Sequence, residues 1–410
     1  MRLAGLGART GASLVFSGDG ASAAAQAAEV LGTLRGLAAK LGQMASYVDG
    51  VVPEEHRASY ETALSSLRAA APTSSPAAIR RLVEEELGAP IDRLFEHWED
   101  EPLASASIGQ VHRARLEGGR RVAVKVQHPG IARALESDLE NAGVLEGMAG
   151  LLGARRFESK RILEEVRRRF REELDYALEA ERQRAFAAMH LGDPSICIPA
   201  VIDDRSSGRV LTTELAEGLG FDEAVGAPPE ARRAWAETLW RFVFKGNLVG
   251  GMFNADPHPG NYLFHDEGRV TFLDFGCVEP IEGERLLLAR AIHRAALDHD
   301  EGAFDRTARQ ILQTRGGHYE ELALAYTRLC FEPIFVSPHR ITRPYAASLA
   351  AGIKEMALAA RSFTDAEVAP LPPGMLFLNR LQIGFYSVLA RLDVEVDYAR
   401  VERAFLDGVV

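Results

Sequence analysis

The stretch "FNADPHPGNYLFHDEGRVTFLDFG", residues 253–276, decides the fold. Asp256 stands five residues before Asn261, and Asp274 follows thirteen residues later at the head of a Phe-Gly pair. Two carboxylates and an amide are hard oxygen donors, suited to orienting a hydroxyl and to holding Mg²⁺. The β-rich run "RVTFLDFG" closes a short hairpin between them. An Asp-Phe-Gly alone is weak evidence, and so is a lone Asp-x-x-x-x-Asn. Joined by a hairpin at this separation, they are strong.

Phosphoryl transfer from ATP asks for such a set: a carboxylate to orient the attacking hydroxyl and oxygen ligands for the metal on the phosphates. This is the arrangement of a kinase catalytic loop, with Asn254-Ala255-Asp256 where most protein kinases write His-Arg-Asp. His258 and His265 lie close by, but with Pro257 and Pro259 stiffening the loop, His258 reads as a backbone-orienting residue rather than a metal ligand. Cys277, directly after the Asp-Phe-Gly, reads as a small core residue, with a thiol near a nucleotide as the other option.

The rest of the composition frames this. At 410 residues and 47% apolar, the chain can bury two or more cores. A net charge of −11 argues against a nucleic-acid binder, which would carry a basic face. Three dispersed cysteines, Cys197, Cys277 and Cys330, form neither a disulfide framework nor a zinc spacing, so a reducing, cytoplasmic setting is expected. The glycines and Arg9 of "MRLAGLGARTGASLVF" interrupt any signal-peptide core, and the segment reads as a mobile lead-in. No run of about 18 uncharged apolar residues occurs, so no transmembrane segment is expected.

Residues 1–100 read as a helical extension. Leu31, Leu34, Leu37, Leu41, Met44 and Val48 form one apolar stripe, ended by Pro53. Lys40 and Gln43 of "KLGQ" share a face beside it. Gly32, Gly36 and Gly42 each cost a helix about 1 kcal/mol relative to Ala, which suggests close packing by another element. A second helix is expected in "EEHRASYETALSSLRAA". A third, "PAAIRRLVEEELG", has Ser75 and Pro76 at its start and Gly88 at its stop.

Residues 101–218 read as a small sheet with one long helix. "SIGQVHRARL", Gly118-Gly119 and "RRVAVKVQHP" form a hairpin; "ICIPAVIDD" and "GRVLTTEL" are expected as two further strands. Lys125 sits in "VAVKV" between apolar neighbours. Alone it would read as an ordinary edge-strand lysine; ahead of the Asp256, Asn261 and Asp274 set it reads as the ligand of the ATP α/β-phosphates. A carboxylate partner is expected on the helix spanning 155–189. There Glu172, Asp175 or Tyr176, and Glu179 share a face, while Glu173 and Asp175 must serve different partners. Spacing alone does not choose among them. "ASASIGQV" lies where kinases cover the phosphates with a glycine-rich loop, but only Gly109 remains glycine. Nucleotide contacts are assigned to Ala106, Ser107, Ile108, Gly109, Val111 and Lys125, and to Glu214 at the lobe junction near 214–218. Residues 219–410 read as a helical lobe carrying the catalytic loop.

"KLGQ", "ASASIGQVHRA", "VAVKVQHP", "EELDYALEA", "NADPHPGN" and "LDFG" occur in the order seen in the UbiB/AarF-like (ADCK-type) atypical kinases, and the chain resembles that family over residues 25–290. The resemblance implies an α+β, two-lobed protein-kinase-like fold whose helical N-terminal extension packs over the active site. Lys40, Gly42 and Gln43 would belong to that extension, with Glu173 and Asp175 contacting it. Glu179 would pair with Lys125, Asp256 would be the catalytic Asp, and Asn261 and Asp274 would hold Mg²⁺. Asn254 departs from a His often found before Ala-Asp, and Ser105 from an alanine; the second leaves ATP against ADP open.

The expected activity is that of an ATP- and Mg²⁺-dependent kinase or ATPase in isoprenoid-quinone (ubiquinone-type) or lipid metabolism. A lipid or quinone-precursor ligand and a peripheral membrane contact belong to the same expectation. Two competitors are an aminoglycoside-kinase type phosphotransferase, against which the "KLGQ" helix speaks, and a pseudokinase scaffold, against which the full set of polar groups speaks.

Overall fold

The computed structural model describes residues 74–105, 108–140, 168–169, 171–359 and 375–407. The lead-in, the stripe helix with "KLGQ", the helix expected over 54–70, and the loop residues Ala106 and Ser107 lie outside them. Of the expected helical extension, only the part from residue 74 onward lies within the described residues. The chain forms two compact units. Of the described residues, one takes in those of 74–184 and 199–216, and the other those of 185–198 and 217–407.

In the first unit, β1 (His97–Trp98), β2 (Ala104–Ser105), β3 (Gly109–Arg115), β4 (Arg121–Gln127) and β6 (Val210–Glu214) make an antiparallel sheet in the order β1-β3-β4-β6, with β2 also on β3. Alternation on β4 is clean: Val122, Val124 and Val126 are fully buried on one face, and Lys125 takes the other. The valine face packs with Ile79, Leu82 and Val83 of the helix Pro76–Leu87. That helix starts as its sequence suggests: the Ser75 side chain caps it, Pro76 occupies the first turn, and Gly88 ends it with φ 72°.

One sequence expectation is corrected here. "ICIPAVIDD" is not a single strand beside "GRVLTTEL". Its first part, β5 (Ile196–Cys197), pairs in parallel with β9 (Val270–Phe272) in the second unit, while Val201 alone bridges to Thr213. Pro199 is the physical reason, since it lacks the N–H a continuous ladder needs; its carbonyl accepts from Gln183 Nε2 at 2.5 Å.

In the second unit, β8 (Tyr262–Phe264) completes the sheet β5-β9-β8, and β7 (Met252–Asn254) pairs with β10 (Val278–Pro280). Helices fill most of the remainder, with one small ladder of β11 (His339–Arg340) and β12 (Glu395–Val396). The core centres on Trp240 of the helix Pro229–Leu248. A fully buried carboxylate, Glu402, accepts from Trp240 Nε1 at 3.0 Å and from His293 Nδ1 at 2.8 Å. Three helices are thereby joined through one satisfied charge.

His190 is a second buried imidazole, stacked beside Phe186 and Phe242, and neither ring nitrogen has a hydrogen-bond partner among the described residues. Burial, then the charge of Lys245, lowers its pKa from the ordinary 6.5 to about 4, against the pull of Asp193. Between those values the unfolded chain binds the extra proton, so stability falls as the pH drops through this window. His190→Phe should flatten the acid limb of a Tm-against-pH curve by the equivalent of on the order of 3 kcal/mol at pH 4. An unchanged limb would contradict the assignment.

Candidate functional site

Lys125 lies in the first unit. It projects from the face of β4 opposite the valines, in register with Val111 on β3 and Leu211 on β6. The helix Tyr176–Met189 brings Glu179 to this face, and Lys125 Nζ donates to both carboxylate oxygens at 2.7 and 2.9 Å. The Glu179 side chain is only 2% exposed and Lys125 21%. A carboxylate so enclosed is costly unless paired, and removing one partner of such a pair costs about 3–5 kcal/mol. The Tyr176 ring lies 5.1 Å from the same ammonium.

Gln127, two residues along and on the same face, fixes the start of this helix. Its Nε2 donates to the Leu174 carbonyl at 2.6 Å and to the Gly208 carbonyl at 3.3 Å. The helix is interrupted at Leu174–Asp175, and Asp175 Oδ1 then caps the new start by accepting from Ala177 and Leu178 N–H. The expected single face of Glu172, Asp175 or Tyr176, and Glu179 assumed an unbroken helix and is corrected by this break. Glu172 instead gathers Arg168, Arg169 and Arg182 at 2.6–3.0 Å. Burial raises its pKa, but these hydrogen bonds and charges outweigh burial and leave it below the ordinary carboxylate value. Glu173 is buried; Lys40, Gly42 and Gln43, its expected neighbours with Asp175, lie outside the described residues.

Of the expected phosphate-loop residues, Ile108 is buried with Leu211, Tyr176 and Ala180, and Val111 stands opposite Lys125. Gly109 has a packing reason for being glycine. A Cβ there would sit 2.5 Å from the Val126 carbonyl oxygen and 2.6 Å from the Tyr176 hydroxyl. Glu214 ends β6 opposite Val122, with its carboxylate on Arg120 at 2.6 Å. Tyr176 was not singled out from the sequence as a site residue. Its place beside Glu179 in "EELDYALEA" was the available signal.

Asp256, Asn261 and Asp274 lie in the second unit. Asn254, at the end of β7, ties two of them together. Its Nδ2 donates to the Asp274 carbonyl at 2.5 Å, and its Oδ1 accepts from Asp256 N–H at 3.1 Å. The His-to-Asn departure thus supplies a loop anchor of its own. Asn261 Nδ2 donates to the Asp256 carbonyl at 3.1 Å, and Gly276 N–H donates to Asp274 Oδ1 at 2.9 Å. Phe275 is fully buried against Phe186 and Phe242, which seats the Asp-Phe-Gly turn in the core. His258 Nδ1 accepts from Gly260 N–H, and His265 meets Thr271 Oγ1 at 2.8 Å. Cys277 is buried.

Among the described residues no cluster of three His, Cys, Asp or Glu side chains could hold a metal. An Asn–Asp pair suits Mg²⁺, which keeps waters and takes phosphate oxygens rather than a full protein shell. With its Nδ2 committed to Asp256, Asn261 has its amide oxygen as the donor for such a cation.

Gly109→Ala should destabilise the protein by about 1–3 kcal/mol, since the atom it meets first is backbone and cannot swing aside. Urea unfolding measures this; a loss below about 0.5 kcal/mol would show that the site relaxes.

Comparison with known proteins shows the family. The ABC1 atypical kinase-like domain matches residues 66–306. The chain is similar to the mitochondrial atypical kinase coq-8 of Caenorhabditis elegans, at 32% identity over 70% of this chain and 38% of that protein. It is similar to the chloroplastic Activity of BC1 complex kinase 7 of Arabidopsis thaliana, at 31% over 67% of this chain and 38% of that protein. It therefore spans about two fifths of these relatives' length. Among solved structures it resembles Rv3197 of Mycobacterium tuberculosis, described in complex with erythromycin, with TM-score 0.64 and 29% identity over 92% of this chain and 93% of that one. The mixed helix-and-sheet fold is kinase-like, and the chain belongs to the ABC1 atypical kinase-like family.

Proposed function

We propose that this protein binds MgATP and transfers or hydrolyses the γ-phosphate, with a small or lipid-like acceptor rather than a peptide. The observation that carries the reading is the Lys125–Glu179 pair, an ammonium held by a buried carboxylate on a sheet face. Glu179 fixes where the Lys125 charge stands, so that the α/β-phosphates meet an ammonium already in place. Asn261 and Asp274 would hold Mg²⁺, whose charge would offset that of the phosphate oxygens. Asp256, with its N–H and carbonyl fixed by Asn254 and Asn261, would orient the attacking hydroxyl or water.

The resemblance to UbiB/AarF-like kinases supports isoprenoid-quinone or lipid metabolism as the setting, with a quinone precursor or lipid as ligand and a peripheral membrane contact. No helix among the described residues is long and apolar enough to cross a membrane. A second reading, a phosphotransferase acting on a free small molecule, is favoured by the structural relative Rv3197, whose structure is a complex with erythromycin.

In thermal shift, MgATP should stabilise the wild type, and Asp274→Asn should abolish the Mg²⁺-dependent part; an unchanged shift would defeat the metal assignment. Phosphate release should be measured with and without anionic liposomes and phenolic quinone precursors. Asp256→Asn should lower it by about 10²-fold or more. Phosphorylated product in mass spectrometry means a kinase, phosphate without product an ATPase, and neither a nucleotide-binding pseudokinase.

A further inference from the structure

The run "SIGQVHRA" contains two polar side chains that the proposed chemistry leaves unused. Gln110 and His112 are 1% and 0% exposed, and they lie on the valine face of the sheet, opposite Val126 and Val124. Buried polar groups in an apolar layer destabilise unless every one is satisfied. Here a single chain of hydrogen bonds satisfies them. Ser74 N–H donates to Gln110 Oε1 at 3.0 Å, Gln110 Nε2 meets His112 Nε2 at 2.7 Å, and His112 Nδ1 meets the Glu99 carbonyl at 2.8 Å.

The direction of the chain follows from its ends. A backbone N–H can only donate, so Gln110 presents its oxygen to Ser74 and its NH₂ to His112. His112 Nε2 is then the acceptor, and its proton resides on Nδ1, facing a carbonyl that can only accept. Only the neutral imidazole fits, and burial lowers the His112 pKa accordingly. Trp98 stacks on the ring at 4.7 Å and donates its own N–H to Asp100, which pairs with Arg80.

Gln110 is also the residue paired with Ser105 across the β2–β3 ladder. On the far side of the connection, His128 N–H donates to the Ile108 carbonyl at 2.9 Å, and the His128 ring meets Ser74 Oγ at 2.9 Å. Both flanks of the segment between Ser105 and Ile108 are therefore tied to the same polar chain and to Ser74. Lys125 occupies the opposite face of the sheet, so the chain does not touch the Lys125–Glu179 pair.

We propose that Gln110 is a positioning residue. Through Ser74 and His112 it fixes the base of the β2–β3 hairpin at Ser105 and Ile108, the described flanks of the run assigned to the nucleotide phosphates; this rests on the nucleotide-binding reading above. Gln110→Met keeps the length of the side chain and removes both hydrogen bonds. Hydrogen exchange should accelerate about tenfold or more for residues 103–111 while residues 122–126 stay protected. In steady-state phosphate release, KM for MgATP should rise about fivefold or more with kcat within about twofold, because a phosphate-covering loop serves ground and transition states alike. Ser74→Ala, which cuts only the His128 link at the edge of the sheet, should move both readouts the same way by less, and it serves if Gln110→Met does not fold.

Uniform acceleration across the sheet, or local loosening with KM unchanged, would overturn the positioning role. A wild type that binds no MgATP would instead defeat the nucleotide reading, and the exchange pattern alone would then decide whether Gln110 holds the hairpin.

Discussion

The structure of the first unit depends on an ion pair between a half-buried lysine and a buried carboxylate. Alternation on β4 sends three valines to one face and Lys125 to the other, and an ammonium there requires a partner. Glu179, nearly sealed from solvent, is that partner through both its oxygens. For it to arrive, the helix must restart at Tyr176, and the restart is enforced by Gln127 on the Leu174 carbonyl and by the Asp175 cap. Gly109 must lack a side chain so that the Tyr176 hydroxyl and the Val126 carbonyl can approach. The pair is thus less an added contact than the condition that the surrounding residue choices meet.

In the second unit the equivalent constraint is backbone geometry. Asp256 and Asp274 lie eighteen residues apart in the chain, and the Asn254 side chain spans that gap with two hydrogen bonds. Phe275 sinks the Asp-Phe-Gly turn into the aromatic core, and Gly276 N–H holds one oxygen of Asp274. The asparagine supplies both a donor and an acceptor, so one small, uncharged side chain anchors the loop at two points.

Much of this was legible in the sequence because it is local. The loop from Asp256 to Asn261, the hairpin that follows and the β3–β4 hairpin are set by turn residues and period-two alternation within about 25 residues. The break at Leu174 was not legible, because it is made by Gln127, 47 positions away in the chain. Nor was the transfer of Ile196–Cys197 to the other unit, where the partner strand lies some seventy residues further on. Gly109 was read for its freedom near phosphate, although the atoms that crowd it come from Val126 and Tyr176. Helix periodicity groups charges by face; it does not say which charge finds a half-buried lysine.

The central claim, that Glu179 sets Lys125 in place for a nucleotide, is tested most directly by a double-mutant cycle on MgATP affinity with Lys125→Met, Glu179→Gln and the pair together. If the two act as a unit, the double variant should bind no worse than the weaker single, with a coupling free energy of about 1.5 kcal/mol or more. Additive losses would mean that Lys125 meets the phosphates without help from Glu179, and would contradict the account.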